Sequence, residues 1–221
     1  MILTEAWKRA FPQATAQQVV DHLISTWQDL SNRESEYFCW ASKEPDITSR
    51  MKEAMEDSAH EVGLTGFWGN EASSTQYDPK TLKRIKGFRT DITYASDREG
   101  IHLVFEWKKL TGKSRSQQAY YGASGMGRFL EPSGYAKREP FGVMVAIIES
   151  PAHRPQVQSL VDKMRKSESV ALLSMIPCAA GHHVRIPSEI LPGKAEFDTQ
   201  HTRITDRYNT FTFGHIFLAF P

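Results

Sequence analysis

Two short stretches, Gly87-Phe88-Arg89-Thr90-Asp91-Ile92-Thr93-Tyr94 and Ile101 through Lys108, constrain the fold of this 221-residue chain more than any other feature. Side chains alternate along a strand, so Phe88, Ile92 and Tyr94 share one face and Arg89, Asp91 and Thr93 the other. In the second stretch Ile101, Leu103, Phe105 and Trp107 alternate with His102, Val104, Glu106 and Lys108. Ala95 to Gly100 reads as the turn between them, which predicts an antiparallel hairpin. With the turn centred there, Asp91 falls opposite Val104. Glu106 is then its diagonal neighbour on the same face, about 7 to 8 Å away at the backbone. Lys108 joins that face, and aromatic residues anchor the opposite one.

Elements around the hairpin follow from hydrophobic periodicity. Ala16, Val19, Val20, Leu23, Ile24, Trp27 and Leu30 fall at helical spacing over residues 16–30. A second helix is predicted from Pro45 in its first turn through Ile47, Met51, Met55, Ala59 and Val62, ending at Gly63. After Gly66 the pattern turns extended. Ser114 to Leu130 reads as helical in its first half and is then broken by Gly122, Gly125 and Gly127. Phe141 to Ile148 is a buried strand, Val157 to Met164 a helix, Val170 to Ile176 a strand, and Phe211 to Phe220 a final strand. No repeat or Pro/Gly linker divides the chain, so one α/β domain over residues 1–221 is expected, with helices packed on a central mixed sheet. Its parts are N-terminal helices at about 16–63, a hairpin and helix at about 87–130, and an α/β part at about 141–221.

Charge is unevenly spread. The net charge is +1, yet between Lys80 and Arg138 there are 13 Lys/Arg against 5 Asp/Glu, so the remainder is net acidic. A concentrated positive field in the middle third suits a phosphate backbone. It also suits a solvated basic surface. Only Cys39 and Cys178 are present, in no paired spacing, which argues against a disulfide framework. Residues Met1 to Arg9 lack the apolar stretch of a signal peptide, and the longest apolar run, Phe141 to Ile148, is too short to span a bilayer. The expectation is a soluble, cytoplasmic protein without a membrane partner. With no Walker-type glycine loop, no ATP use is expected.

The shared face of the hairpin carries the chemistry. Two carboxylates, with water filling the other positions, suit Mg²⁺, or Mn²⁺ in its place. Such a cation polarises a phosphate and makes bound water nucleophilic at neutral pH. Asp91 and Glu106 are the candidate ligands, and Lys108 is a compact charge placed to stabilise the developing anion. Glu-x-Lys alone is common on exposed strands. The second carboxylate on the preceding strand and the basic surround are what add weight.

Arg89-Thr90-Asp91-Ile92 followed by Phe105-Glu106-Trp107-Lys108 resembles the PD-(D/E)xK nuclease superfamily, whose core motif is an Asp on one strand and Glu-x-Lys on the next. Thr90 stands where a proline is usual. Gln117-Gln118-Ala119-Tyr120-Tyr121 is similar to the QxxxY element of the RecB-like and lambda-exonuclease-like branches. The resemblance covers about residues 44–148. It implies a restriction endonuclease-like core, a metal-dependent nuclease and DNA as substrate, in restriction, phage defence or repair. It also implies that Gln117 and Tyr121, on one helical face by their i, i+4 spacing, contact DNA backbone near the metal. A satisfied surface Gln and a half-buried Tyr are the plainer alternative. An acidic residue on an early helix completes such sites. Glu44 is the candidate here, with Glu53, Glu56, Glu61 and Glu71 as rivals, and a favourable helix N-terminal charge is Glu44's other reading.

Substrate is expected along Lys80, Lys83, Arg84, Lys86 and Arg89, past the metal, and toward Lys113, Arg115 and Gln117. Alternatively, Lys83 and Arg84 form an outward solvated helix face. Gly125 to Phe129 and His201-Thr202-Arg203 are further candidates for phosphate contact, or simply sites of close packing. His182, His183, His201 and His215 with Cys178 lack zinc-site spacing and read as surface or core histidines. Two other function classes share these features: a non-catalytic nucleic-acid-binding module, and a subunit of a larger defence or restriction assembly. A homodimer is compatible with either.

Overall fold

The computed structural model describes residues 10–70, 73–77, 84–89, 91–131, 139–178, 181–203 and 209–221, with the backbone alone at 70, 73–77 and 84–89. Helix α1 (Gln13–Arg33) buries Ala16, Val19, Val20, Leu23, Trp27 and Leu30, the apolar stripe that its spacing predicts. Helix α2 (Glu44–Ser58) buries Ile47, Met51 and Met55, and a 3-10 turn (Ala59–Val62) follows it. Val62, expected in the stripe, is 39% exposed. Arg50 on α2 grips Glu34, just past α1, through two charge-assisted hydrogen bonds at 2.8 and 2.6 Å, which fixes the two helices as a pair.

Strands β1 (Phe67–Asn70), β4 (Ile92–Ser96), β5 (Ile101–Lys109), β6 (Phe141–Ile148), β7 (Met175–Ile176), β8 (Val184–Arg185), β9 (Phe197–Thr202) and β10 (Thr210–Ala219) form one mixed sheet. Its order is β1-β4-β5-β6-β10-β9-β7, with β8 also on β9. β6 runs parallel to both β5 and β10, and the other pairings are antiparallel. Every residue of β6 is buried, as a strand covered on both faces must be, which explains its unbroken apolar run. Strands β2 (Ser73–Tyr77) and β3 (Arg84–Arg89) pair in a separate two-stranded sheet.

Helices cover both faces. On one, α1 and α2 pack Leu23, Trp27 and Met51 against Leu103, Phe105, Trp107, Val143 and Val145. The Trp27 ring lies 6.0 Å from Trp107 and 4.7 Å from Phe220. On the other face lie α3 (Ser114–Tyr121), α4 (Gly127–Leu130), α5 (Pro155–Met164) and α6 (Ser167–Leu172). There Tyr120, Phe129, Leu160 and Met164 pack on Val104, Met144, Ala146, Phe211 and Phe213. Each fully buried large apolar side chain contributes about 1.5–3 kcal/mol. The fold is the α/β domain expected, a central mixed sheet between helical layers. No helix among the described residues is long and apolar enough to cross a membrane.

Three local expectations are corrected. Gly87 to Tyr94 is not one strand: β3 ends at Arg89 and belongs to the small sheet, and Asp91 lies in the bend before β4. The hairpin turn is only Asp97 to Gly100, closed with Gly100 in the left-handed region (φ 63). Thr93 therefore faces Val104, and the same register extended by one step sets Asp91 across from Glu106. The shift is two residues, so the faces are preserved. Finally, Val170 to Ile176 is mostly α6 followed by the two-residue β7. A short apolar run does not separate strand from helix by periodicity.

Candidate active site

The carboxyl-terminal half of β5 carries Glu106 and Lys108 on the face opposite Phe105 and Trp107, and the aromatic pair locks the strand from behind. Lys108 Nζ lies 2.9 Å from Glu106 Oε1, 3.1 Å from Glu44 Oε1 and 3.9 Å from Asp91 Oδ2. It also donates to the Trp107 carbonyl at 2.6 Å. Three carboxylates from separate elements thus surround one ammonium. Asp91 is held in turn by the Trp107 backbone N–H, which donates to Oδ2 at 2.8 Å. Glu44 opens α2, and its Oε2 accepts the Lys109 backbone N–H at 2.9 Å. Its carboxylate therefore serves the end of β5 as well as its own helix terminus. The neighbouring Lys109 ammonium binds the Trp40 and Ser42 carbonyls and sits 4.7 Å over the Trp40 ring, so the α1–α2 connection is tied to this strand end.

Burial sets the electrostatics. Glu106 is fully buried, and its Oε2 has no hydrogen-bond partner. Burial, with the charge of Asp91 added, pushes the Glu106 carboxyl up to about 8 against the pull of Lys108 and Arg128. Burial likewise raises Asp91, opposed by Lys108 and the Trp107 N–H. Burial works against the charge on Lys108, but Glu106, Glu44 and Asp91 outweigh it and raise its pKa. A protonated Glu106 would support that ammonium less. Lys108 keeps its proton either way, because Glu44 and Asp91 still face it.

Asp91 and Glu106 offer oxygen donors, the type a hard divalent cation takes together with water, and one of those oxygens, Glu106 Oε2, is buried without a partner. The carboxylates nonetheless gather around Lys108 and not around a common empty point. Accordingly, no group of three or more His, Cys, Asp or Glu is assembled to hold a metal among the described residues.

Of the other predicted residues, Arg115 is exposed on α3. Gln117 is buried and donates to Ser159 on α5 at 3.0 Å, and Tyr121 is buried in the apolar cluster beneath α3. Lys80, Lys83 and Glu71 lie outside the described residues, and Arg84 opens β3, whose side chains are not described. Glu53 and Glu56 pair with Arg50 and Lys52 on their own helix, and Glu61 is exposed. His201 and Arg203, candidates for phosphate contact, are buried at 0% and 1% exposure and belong to the interior. Arg128 gains a definite place: its guanidinium donates to Glu106 Oε1 at 3.1 Å. The sequence marks Arg128 only as a basic residue within a glycine-rich bend.

Fold and site together define an α/β domain with a buried carboxylate and lysine centre at the end of a central strand. Compared with protein-family models, curated proteins and solved structures, the chain gives no match.

Proposed function

We propose that the chain is a divalent-metal-dependent nuclease that hydrolyses phosphodiester bonds, with DNA as its substrate and a site of the PD-(D/E)xK kind. The observation that carries this reading is the convergence of Asp91, Glu106 and Glu44 on Lys108, with one oxygen of the fully buried Glu106 left without a partner. An unsatisfied buried acceptor costs about 1–3 kcal/mol. Carboxylates perturbed by burial beside a specific cation are a feature of functional sites. Asp91 and Glu106 would hold Mg²⁺ or Mn²⁺. When bound, the cation polarises the scissile phosphate and generates a nucleophilic water. Lys108 presents a permanent positive charge where the phosphate becomes more anionic, and Glu44 fixes both that ammonium and the backbone of β5. The density of Lys and Arg between Lys80 and Arg138 supports a phosphate-backbone partner.

Incubation of the purified protein with linear and supercoiled duplex DNA tests the reading. Cleavage is expected with Mg²⁺ or Mn²⁺, none in chelator, and a fall of at least about 100-fold in Asp91→Ala, since several kcal/mol of charge stabilisation are removed. A folded wild-type protein that binds DNA and leaves it intact with every divalent cation tried overturns it in favour of a non-catalytic binding module.

A further inference from the structure

Basic side chains on the two helical layers differ in what neutralises them. On the α1–α2 layer Arg33, Arg50 and Lys52 pair with Asp29, Glu34 and Glu56. On the other layer Lys113 and Arg115 stand at the start of α3, and Lys163, Arg165 and Lys166 at and just beyond the end of α5. None of these five forms an ion pair with a described residue. Lys163 is half-buried and the other four are exposed. Their charge is left for an outside anion.

A groove of about 550 Å³ lies among them, lined by Ser114 and Gln117 of α3 and by Ser159, Lys163 and Lys166 on the α5 side. The two helices are tied together there, because Gln117 Nε2 donates to Ser159 Oγ at 3.0 Å. One end adjoins the candidate site. Helix α3 follows β5 after the short connection 110–113, and Gln156 in the first turn of α5 lies beside Gly112, its Cγ 4.0 Å from where a Cβ would stand. From there α5 leads about 15 Å toward Lys163 and Lys166. Small-ligand sites span about 300–1,000 Å³, so the groove takes a nucleotide or two of one strand and not the girth of a duplex. Among the described residues its one acid is Asp162, whose Oδ1 accepts from Gln158 Nε2 at 2.8 Å.

We propose that the groove between α3 and α5 carries one strand of the nucleic-acid substrate away from the β5 site, with Lys163 and Lys166 on its phosphates and Lys113 and Arg115 beside its entrance. The proposal rests on the nuclease reading above. Ser114, Gln158 and Ser159 offer uncharged groups to phosphate and sugar oxygens, contacts that position a strand without reading its sequence. Asp162 opposes a polyanion, so the groove carries both an attractive and a repulsive element that can be removed separately.

The test is binding of a short labelled DNA single strand, and of the same sequence as a duplex, in chelator across a range of salt concentrations. Lys163→Gln/Lys166→Gln should weaken both about tenfold at low salt and reduce the salt dependence by about two phosphate contacts. The loss should be as large for the single strand as for the duplex, since one strand is held. Asp162→Asn should act in the opposite direction and tighten both about twofold, because it removes a like charge. Arg33→Gln/Lys52→Gln removes the same formal charge from the opposite layer, beyond the reach of screened charges, and should stay within about twofold of wild type. Equal losses in the two double variants, a loss confined to the duplex, or weaker binding by Asp162→Asn overturns the groove alone. A wild type that binds both DNAs but cleaves neither with any divalent cation overturns the nuclease reading, while the expected pattern among the variants would still support the groove as a strand-binding surface. A wild type that binds neither DNA overturns both.

Discussion

Glu106 at the end of β5 and a chain of groups running from Tyr120 to His201 are buried on the same face of the sheet, and they meet the problem of burying polar atoms in opposite ways. In the second region His201 Nδ1 lies 2.8 Å from the Leu173 carbonyl, which can only accept, so that nitrogen carries the proton. Burial lowers His201 to about 4 and holds His215 well below its ordinary value, so both rings are neutral. His201 Nε2 must then accept from the Thr199 hydroxyl at 2.8 Å. Thr199, its proton committed, accepts from His215 Nε2–H at 2.9 Å, and His215 Nδ1 accepts the Tyr120 O–H at 2.9 Å. Each ring nitrogen and hydroxyl is matched and nothing is charged. The β5 cluster has three carboxylates, two cations sharing one oxygen, and an acceptor with no partner. A closed neutral network adds rigidity. An open charged one has capacity left for a ligand.

Substitution of one group in each region gives the largest separation between them. Glu106→Gln keeps the shape and removes the ionisable carboxyl, and Lys108 retains Glu44 and Asp91. DNA cleavage should fall at least about 100-fold, with the urea midpoint little changed. If cleavage persists while stability collapses, the β5 cluster is structural and the contrast fails.

Tyr120→Phe should do the reverse, with a smaller effect. It leaves His215 Nδ1 buried without a donor, at a cost of about 1–3 kcal/mol. In a chain of this size that lowers the melting temperature by about 2–4 °C per kcal/mol. Cleavage per folded molecule should match wild type. Calorimetry together with an active-site titration measures both, and a cleavage defect without a stability loss would move the chain of groups into the site.

The two regions also differ in how far they could be read in advance. Asp91, Glu106 and Lys108 were legible because a hairpin is local and its faces survive a two-residue error in register. Glu44 depends on how α2 docks against the end of β5, which no local pattern encodes. Only the resemblance singled it out. The Arg128 contact depends on the glycine turn that reverses the chain after α3, and it was invisible for the same reason. β9 went unrecognised because Asp198, Thr199 and His201 are buried there where apolar residues would be expected. Asp198 is satisfied by the Ser188 hydroxyl and the Glu189 and Ile190 N–H groups, and His201 by Thr199 and Leu173. A strand whose inward groups satisfy one another looks polar in sequence. β6, whose burial is entirely apolar, could be read end to end.

The finest distinction lies in the response of stability to pH without metal. Between about 4 and 6.5 the unfolded chain takes up a proton that folded His201 refuses, so stability falls as pH drops through that window. His215 acts in the same direction. Glu106 acts in the opposite one. Between 4.5 and about 8 the folded protein holds a carboxyl proton that the unfolded chain has released, so stability falls as pH rises through that range. Asp91, also raised, reinforces it. Glu34, which the Arg50 hydrogen bonds hold below 4.5, titrates outside the interval from pH 5 to 8. Over that interval the two regions partly cancel, and the wild type should show a shallow profile in urea unfolding with chelator present. Glu106→Gln should lose stability on acidification more steeply than wild type, because only Asp91 then opposes the histidines. His201→Gln should gain stability relative to wild type as the pH falls from 6.5 to 5. Identical profiles for wild type and Glu106→Gln would show that the Glu106 carboxyl is ionised in the free protein. Lys108 and Arg128 would then outweigh its burial, and the cluster would be as closed as the chain of neutral groups beside it.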